Sequence, residues 1–397
     1  MSTPPARTAG YFPSLDTLRA VGALAVLTTH TAFWAGDYLR HGVLGVVLAR
    51  LDVGVAIFFV LSGFLLSRAW LIRAAQQRPS PPTREYFWHR FLRVVPLYVV
   101  TVLIAYLMIP ENAGRSWTDL LVSLGLADTF TGESLPAGLT HMWSLAVEVE
   151  FYLVLPALMW WVVGRSRGLR QRRLWVLVTL LVATSVAWYT VIDRSEWGNG
   201  PWQSLPGYAS WFAVGIALAD LEVLRSTGGS LGRIGTSVAR LGQLPGSCWA
   251  AAGALLLVAA TPLAGPSMLA VPTASEGLVK NLLYGGIAGL VVLPAVMAPS
   301  RSAFQRFLSH RVLRHLGLIS YGIFCLHLPV LHLVMTLTGY PLFHGHGLQI
   351  WVLTVALSLV AAELTHRLVE LPAQRLRNWP ARLRQRRERR KPSTTRA

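Results

Sequence analysis

The sequence predicts an all-α membrane protein, a bundle of about ten transmembrane helices. Three observations carry that expectation. Hydrophobic residues fill 53% of the 397 positions and charged residues only 14%, about half the charged share of a soluble domain. The apolar residues gather in runs near the ~20 residues that a helix needs to cross the hydrocarbon core. The basic residues fall in alternate gaps between those runs. The net charge of +18 is therefore read as membrane topology and not as a nucleic-acid-binding face.

Taken in order, the first span is expected near 15–34 and the second near 52–72. The stretch "RAAQQRPSPPTREYFWHRFLR" reads as a polar loop and an amphipathic helix leading into a short third span, 94–110. The fourth and fifth follow at 141–164 and 173–192. The sixth, 202–224, is interrupted by "SLPG", and the others fall at 246–264, 278–298, 311–338 and 348–371. No internal repeat is visible. One transmembrane domain is expected over 1–372, followed by a basic tail over 373–397. The opening "MSTPPARTAGYFPSLD" does not read as a cleavable leader, because the apolar run behind it is too long. Cys248 and Cys325 both sit in apolar runs, so neither a disulfide framework nor a metal site is expected.

Orientation follows from the arginines. The gap from Arg68 to Arg93 holds six and that from Arg165 to Arg173 holds five. Arg225, Arg233 and Arg240 fall in the next gap of the same parity, and Arg301, Arg306, Arg311 and Arg314 in the one after it. The other gaps hold few basic residues and carry acids: Glu111, Asp119, Asp128, Glu133, Asp193, Glu196 and Glu276. Lys and Arg mark cytoplasmic loops, so both termini are expected in the cytoplasm of a multi-pass plasma-membrane protein. The tail "RLRQRRERRK" suits anionic lipid.

Ionisable groups inside a span are costly and usually face a partner or a cavity. Arg19 and His30 lie on the first span, Glu148 and Glu150 on the fourth, and His327 and His332 on the ninth. The tenth carries Glu363, His366, Arg367 and Glu370. His30 lies about 16 Å along the helix from Arg19, which puts Arg19 near the cytoplasmic surface and His30 in the outer half. Glu148, on a helix running the other way, falls at the same depth as His30, so a histidine–carboxylate pair is expected there. Arg90 and Arg93, three residues apart, share a helix face and suit a phosphate-bearing ligand; setting topology is the other use of such a pair.

These residues carry a family resemblance. "LDTLRAVGALAVLTTH" resembles the Arg-x10-His signature of the integral membrane acyltransferase-3 family, which O-acylates carbohydrates and natural products. "FFVLSGFLLS", "RFLRVVPLY", "HMWSLAVEVEFYLVLP", "SYGIFCLHLPVL" and the closing "VELP" follow in the family's order. The resemblance implies that His30 is the catalytic base and Glu148 the essential acid. It implies that Arg19, Arg90 and Arg93 position an acyl-CoA co-substrate, with acetyl-CoA as the expected donor. Tyr321 and His327 match a polar pair on the ninth span, and Trp143 and Tyr152 are candidates for stacking on a sugar. Val149 follows Glu148 where the family often has a second acid, so Glu148 alone is carried over.

The acyl acceptor is expected to be a hydroxyl of a glycosylated natural product, such as a macrolide or its sugar, or of a small glycoside. A sugar of a cell-envelope polysaccharide or peptidoglycan is the alternative. Direct attack assisted by His30 and an acyl-histidine intermediate both remain open. Backbone amides of "LSGF" are a candidate oxyanion site. A transporter is the reading from another class; it would bring inverted repeats, and no matching halves are seen.

Overall fold

A computed structural model of the chain describes residues 11–131, 135–164, 167–191, 199–267 and 270–378. Residues 379–397 of the expected tail, and with them Glu133, Arg165, Asp193 and Glu196, lie outside the described residues. Among the described residues every regular element is helical. The ten principal helices are α1 (Pro13–Ala35), α2 (Gly54–Ala75), α3 (Thr83–Met108), α4 (Trp143–Val163), α5 (Arg167–Val191), α6 (Leu205–Ser226), α7 (Pro245–Ala259), α8 (Ala274–Met297), α9 (Ser320–Thr338) and α10 (Gly347–Thr365).

Eight helical segments among the described residues are long and apolar enough to cross a membrane; the number is nine if Gly232–Leu241 and α7, bent 92° from each other, count as one span. This accords with the expected bundle of about ten, and two of the expected spans fall short of the same measure. Helix α1 has the length, about 34 Å at 1.5 Å per residue, but Arg19, His30 and its threonines keep it more polar than the eight. Helix α7 is only 15 residues long, short of a full crossing.

Three boundaries also differ from expectation. The arginine-bearing stretch and the third span form one continuous helix, α3, with Pro96 inside it; neighbouring helices make such a proline tolerable in a membrane bundle. "SLPG" does not interrupt the sixth span but starts α6, with Pro206 in its first turn, where no N–H partner is needed. The ninth span is broken at Ile319, between Arg311–Leu318 and α9.

Local chemistry sets the helix ends. Helix α1 stops at Gly36, whose φ of +80° suits a residue without a side chain and whose N–H bonds the Ala32 and Phe33 carbonyls. Helix α8 starts with a capping box between Thr273 and Glu276.

Two contacts bind α2 to α6. Gly63 and Gly215 let the backbones touch; a methyl group on either would run into the opposing chain. Toward the helix ends Arg68 and Glu222, both buried, pair through Nε–Oε2 at 2.5 Å and Nη2–Oε1 at 3.2 Å. Gly63 belongs to "LSGF". Its neighbours lie inside the unbroken helix α2, where backbone amides are spent on carbonyls four residues back. These amides are therefore unavailable as an oxyanion site, which corrects that expectation.

Arg19, Arg68, Arg90, Arg93 and Arg314 lie toward one end of the bundle, whereas Arg40 and Arg50 lie at the other. Arg314 bonds Tyr11 beside the start of α1, and Trp88 at the start of α3 bonds the Leu376 carbonyl beyond α10. At the other end Lys280 at the start of α8 meets Asp52 just before α2, and Phe343 bonds the Trp34 carbonyl at the end of α1.

Candidate functional site

Helices α1, α2, α3, α4 and α9 enclose a chamber of about 670 Å³ of empty space, its mouth included. Arg19, Arg90, Arg93, Glu148, Tyr152 and Tyr321 all line it. The expected convergence of the three arginines from α1 and α3 therefore occurs.

Each arginine is held differently. Arg93 Nη1 lies 3.4 Å from Glu370 Oε2, and its guanidinium carbon is 5.8 Å from the Tyr321 ring centre. Glu370 sits in a π-helical turn, His366–Glu370, that ends the last span. Arg90 lies 5.7 Å from the Tyr152 ring centre, and its buried Nε has no hydrogen-bond partner among the described residues. Neither Arg19 nor Arg90 has an ion-pair partner among those residues. Burying a cation without compensation is expensive, so a chamber built this way favours the entry of an anion.

The Glu148 carboxylate accepts from the Ser62 hydroxyl and, at 2.6 Å, from the Tyr152 hydroxyl. Tyr321 donates to the Val94 carbonyl at 2.8 Å and so ties α9 to α3.

His30 does not pair with Glu148, contrary to expectation. The two residues do not share a depth: His141, seven residues before Glu148, is the one level with His30, and Glu148 lies further toward the arginines, against Ser62. The partner of His30 is His327: His30 Nδ1 lies 3.1 Å from His327 Nε2, and His327 Nδ1 lies 2.6 Å from the Phe324 carbonyl. A third imidazole, His141, is 3% exposed and has its ring centre 4.5 Å from that of His327 and 6.3 Å from that of His30.

The hydrogen bonds fix a tautomer in the neutral pair. A carbonyl only accepts, so His327 carries its proton on Nδ1 and offers Nε2 as an acceptor. His30 must then donate from Nδ1, which leaves its Nε2 with a free lone pair, the form a general base requires. Phe324 lies between the two groups of residues. It lines the chamber and is edge-on to the His141 ring at 5.1 Å.

The four residues expected to bind substrate do not form one site. Tyr152 and Tyr321 stand against the arginines, and His327 holds His30. Trp143 lines a second, aromatic pocket beside Tyr208, with ring centres 5.0 Å apart. Sequence reasoning named Glu370 as an intramembrane acid without its partner Arg93, and missed His141, Ser62 and Phe324. His141 did leave a signal, an imidazole at the head of an apolar run. Among the described residues no group of three or more His, Cys, Asp or Glu is arranged to hold a metal ion.

Residues 12–364 match the acyltransferase domain family. The chain belongs to this family; its class is that of a membrane acyltransferase. The chain is 27% identical over 387 residues to the peptidoglycan O-acetyltransferase OatA of Listeria monocytogenes, covering 92% of this chain and 56% of that protein. It is 28% identical to acyltransferase MdmB of Streptomyces mycarofaciens, covering 92% of each chain. It is 26% identical to nodulation protein 10 of Rhizobium leguminosarum bv. viciae, covering 93% of this chain and 95% of that protein. The chain thus spans little more than half the length of the peptidoglycan relative. No solved structure matches it.

Proposed function

We propose that this enzyme moves an acyl group, normally acetyl, from acyl-CoA to a hydroxyl of a glycosylated natural product or small glycoside. The observation that carries the proposal is the adjacency of a chamber with two unpaired guanidiniums to an imidazole pair whose outer nitrogen is free. The CoA phosphates dock against Arg19, Arg90 and Arg93, since guanidinium forks match phosphate oxygens. The pantetheine arm runs up the chamber and carries the thioester past Phe324 toward His30.

His30 Nε2 takes the proton of the acceptor hydroxyl as its oxygen attacks the thioester carbonyl. The C–S bond then breaks, and the CoA thiolate recovers the proton from the imidazolium. His327 holds His30 in the tautomer this needs. Glu148 keeps the middle of the chamber in register through Ser62 and Tyr152. The arginine-bearing end faces the cytoplasm, where acyl-CoA is made, and both termini lie on that side of the plasma membrane.

A sugar of peptidoglycan is the second reading, favoured by the likeness to the Listeria peptidoglycan O-acetyltransferase. The test is purified full-length protein in lipid nanodiscs with acetyl-labelled acetyl-CoA. Label appearing on an added glycoside supports the proposal. Uptake of the glycoside into proteoliposomes without loss of label from CoA would replace it with transport.

A further inference from the structure

The aromatic pocket that holds Trp143 opens at the end of the bundle away from the arginines. Trp143, Trp202, Tyr208 and Trp211 surround it, with Asp52 and Lys280 on its rim. It encloses about 620 Å³ of empty space, its mouth included, several times the volume of one sugar ring. The aromatic faces are fixed in place. Trp211 donates its Nε1–H to the Asn281 carbonyl at 2.8 Å, and Tyr208 packs against both Trp143 and Trp211 at 5.0 and 4.8 Å. Lys280 Nζ lies 2.7 Å from Asp52 Oδ2, and both side chains remain about one-third exposed.

The position of the pocket joins it to the rest of the site. Val55 lines both the pocket and the arginine chamber. Phe59 of the chamber packs against Tyr208 and Trp211 at 5.9 and 5.7 Å. The start of α4 touches everything in turn: His141 joins the histidines, Trp143 enters the pocket, and Ser144 and Glu148 line the chamber.

We propose that this pocket is the acceptor site and that it takes a neutral pyranose ring, entering from the end opposite the arginines. The chemistry selects that class. A pyranose has apolar C–H faces that lie on aromatic rings, and a rim of hydroxyls that needs a donor and an acceptor together; Lys280 and Asp52 supply one of each. A lipid chain has no use for that charged rim, and an anionic ligand would face Asp52. The assignment as acceptor site rests on the transfer reading above, whereas glycoside binding in the pocket does not.

The experiment titrates full-length protein in nanodiscs with p-nitrophenyl N-acetyl-β-D-glucosaminide, whose nitrophenyl group quenches tryptophan fluorescence. Methyl N-acetyl-β-D-glucosaminide is the competitor. Saturable, competable quenching is expected, weakened tenfold or more by Trp143→Ala and by Trp211→Ala. Trp143→Phe restores binding to within threefold, and Trp160→Ala, on an exposed face of α4, leaves it unchanged. No saturable quenching in the wild type, or equal affinity in the Trp143→Ala protein, overturns the pocket. Glycoside binding without label transfer from acetyl-CoA keeps the pocket and defeats the transfer reading instead.

Discussion

The arginine chamber and the aromatic pocket share Val55 as a wall and are otherwise chemical opposites. One gathers guanidiniums, two of them without an ion-pair partner, around a single bonded carboxylate. The other closes its charges into one Lys–Asp pair and offers ring faces. Positive charge left unpaired inside a bundle is costly, and it persists where an anion offsets it. Charge neutralised within the wall suits a ligand that brings none. The contrast teaches how different the demands of the two cavities are, as the proposal of one molecule in each requires.

Substitutions can separate the two sides. The largest effect is expected from His30→Ala, which removes the base proposed to serve both. Turnover of label from acetyl-CoA should fall about 10³-fold, with the size-exclusion profile unchanged; retained turnover would take His30 out of the chemistry. Next comes Arg90→Ala combined with Arg93→Ala. Charge-assisted bonds are worth about 1.5–3 kcal/mol each, so the KM for acetyl-CoA should rise by about 10²-fold or more. The acceptor KM should hold, and a change confined to it would exchange the roles of the cavities.

His327→Ala should lower kcat about tenfold, the worth of one orienting hydrogen bond, and leave both KM values near wild type. His327→Gln should recover much of the loss, because its carbonyl can accept from His30 Nδ1. An equal deficit in both variants would mean that His327 only fills space. The smallest effect belongs to Lys280→Met. A half-exposed pair contributes about 1 kcal/mol or less, so the acceptor KM should rise a few-fold while the acetyl-CoA KM stays fixed.

Much of this arrangement was legible in the sequence, for identifiable reasons. Arg90 and Arg93 are three residues apart, a spacing that decides their common face without tertiary information. The Arg19–His30 interval likewise decides depth. Depth across two helices is less legible. Glu148 and His30 were matched along the membrane normal, yet α4 begins at Trp143, close to the histidines, and carries Glu148 down to Ser62 at the level of the arginines. The register of one helix against another is set by packing, which hydropathy does not encode.

Pairing across long separations was equally hidden. Arg93 and Glu370 are 277 residues apart, and the acid sits in a π turn that its sequence does not announce. Helix α7 was overestimated because the apolar run continues to 264 while the helix itself ends at Ala259, ahead of Pro262.

The glycine crossing and the Arg68–Glu222 pair make α2 and α6 one stiff unit, and Val55 and Phe59 ride on that unit. Under the proposed transfer, room for a longer acyl chain would not come from that side, because carving at Phe59 would disturb the rings of Tyr208 and Trp211 behind it. It would come from Phe324, whose ring lines the chamber from α9. Trimming that ring is the expected route to turnover of propionyl or butyryl donors.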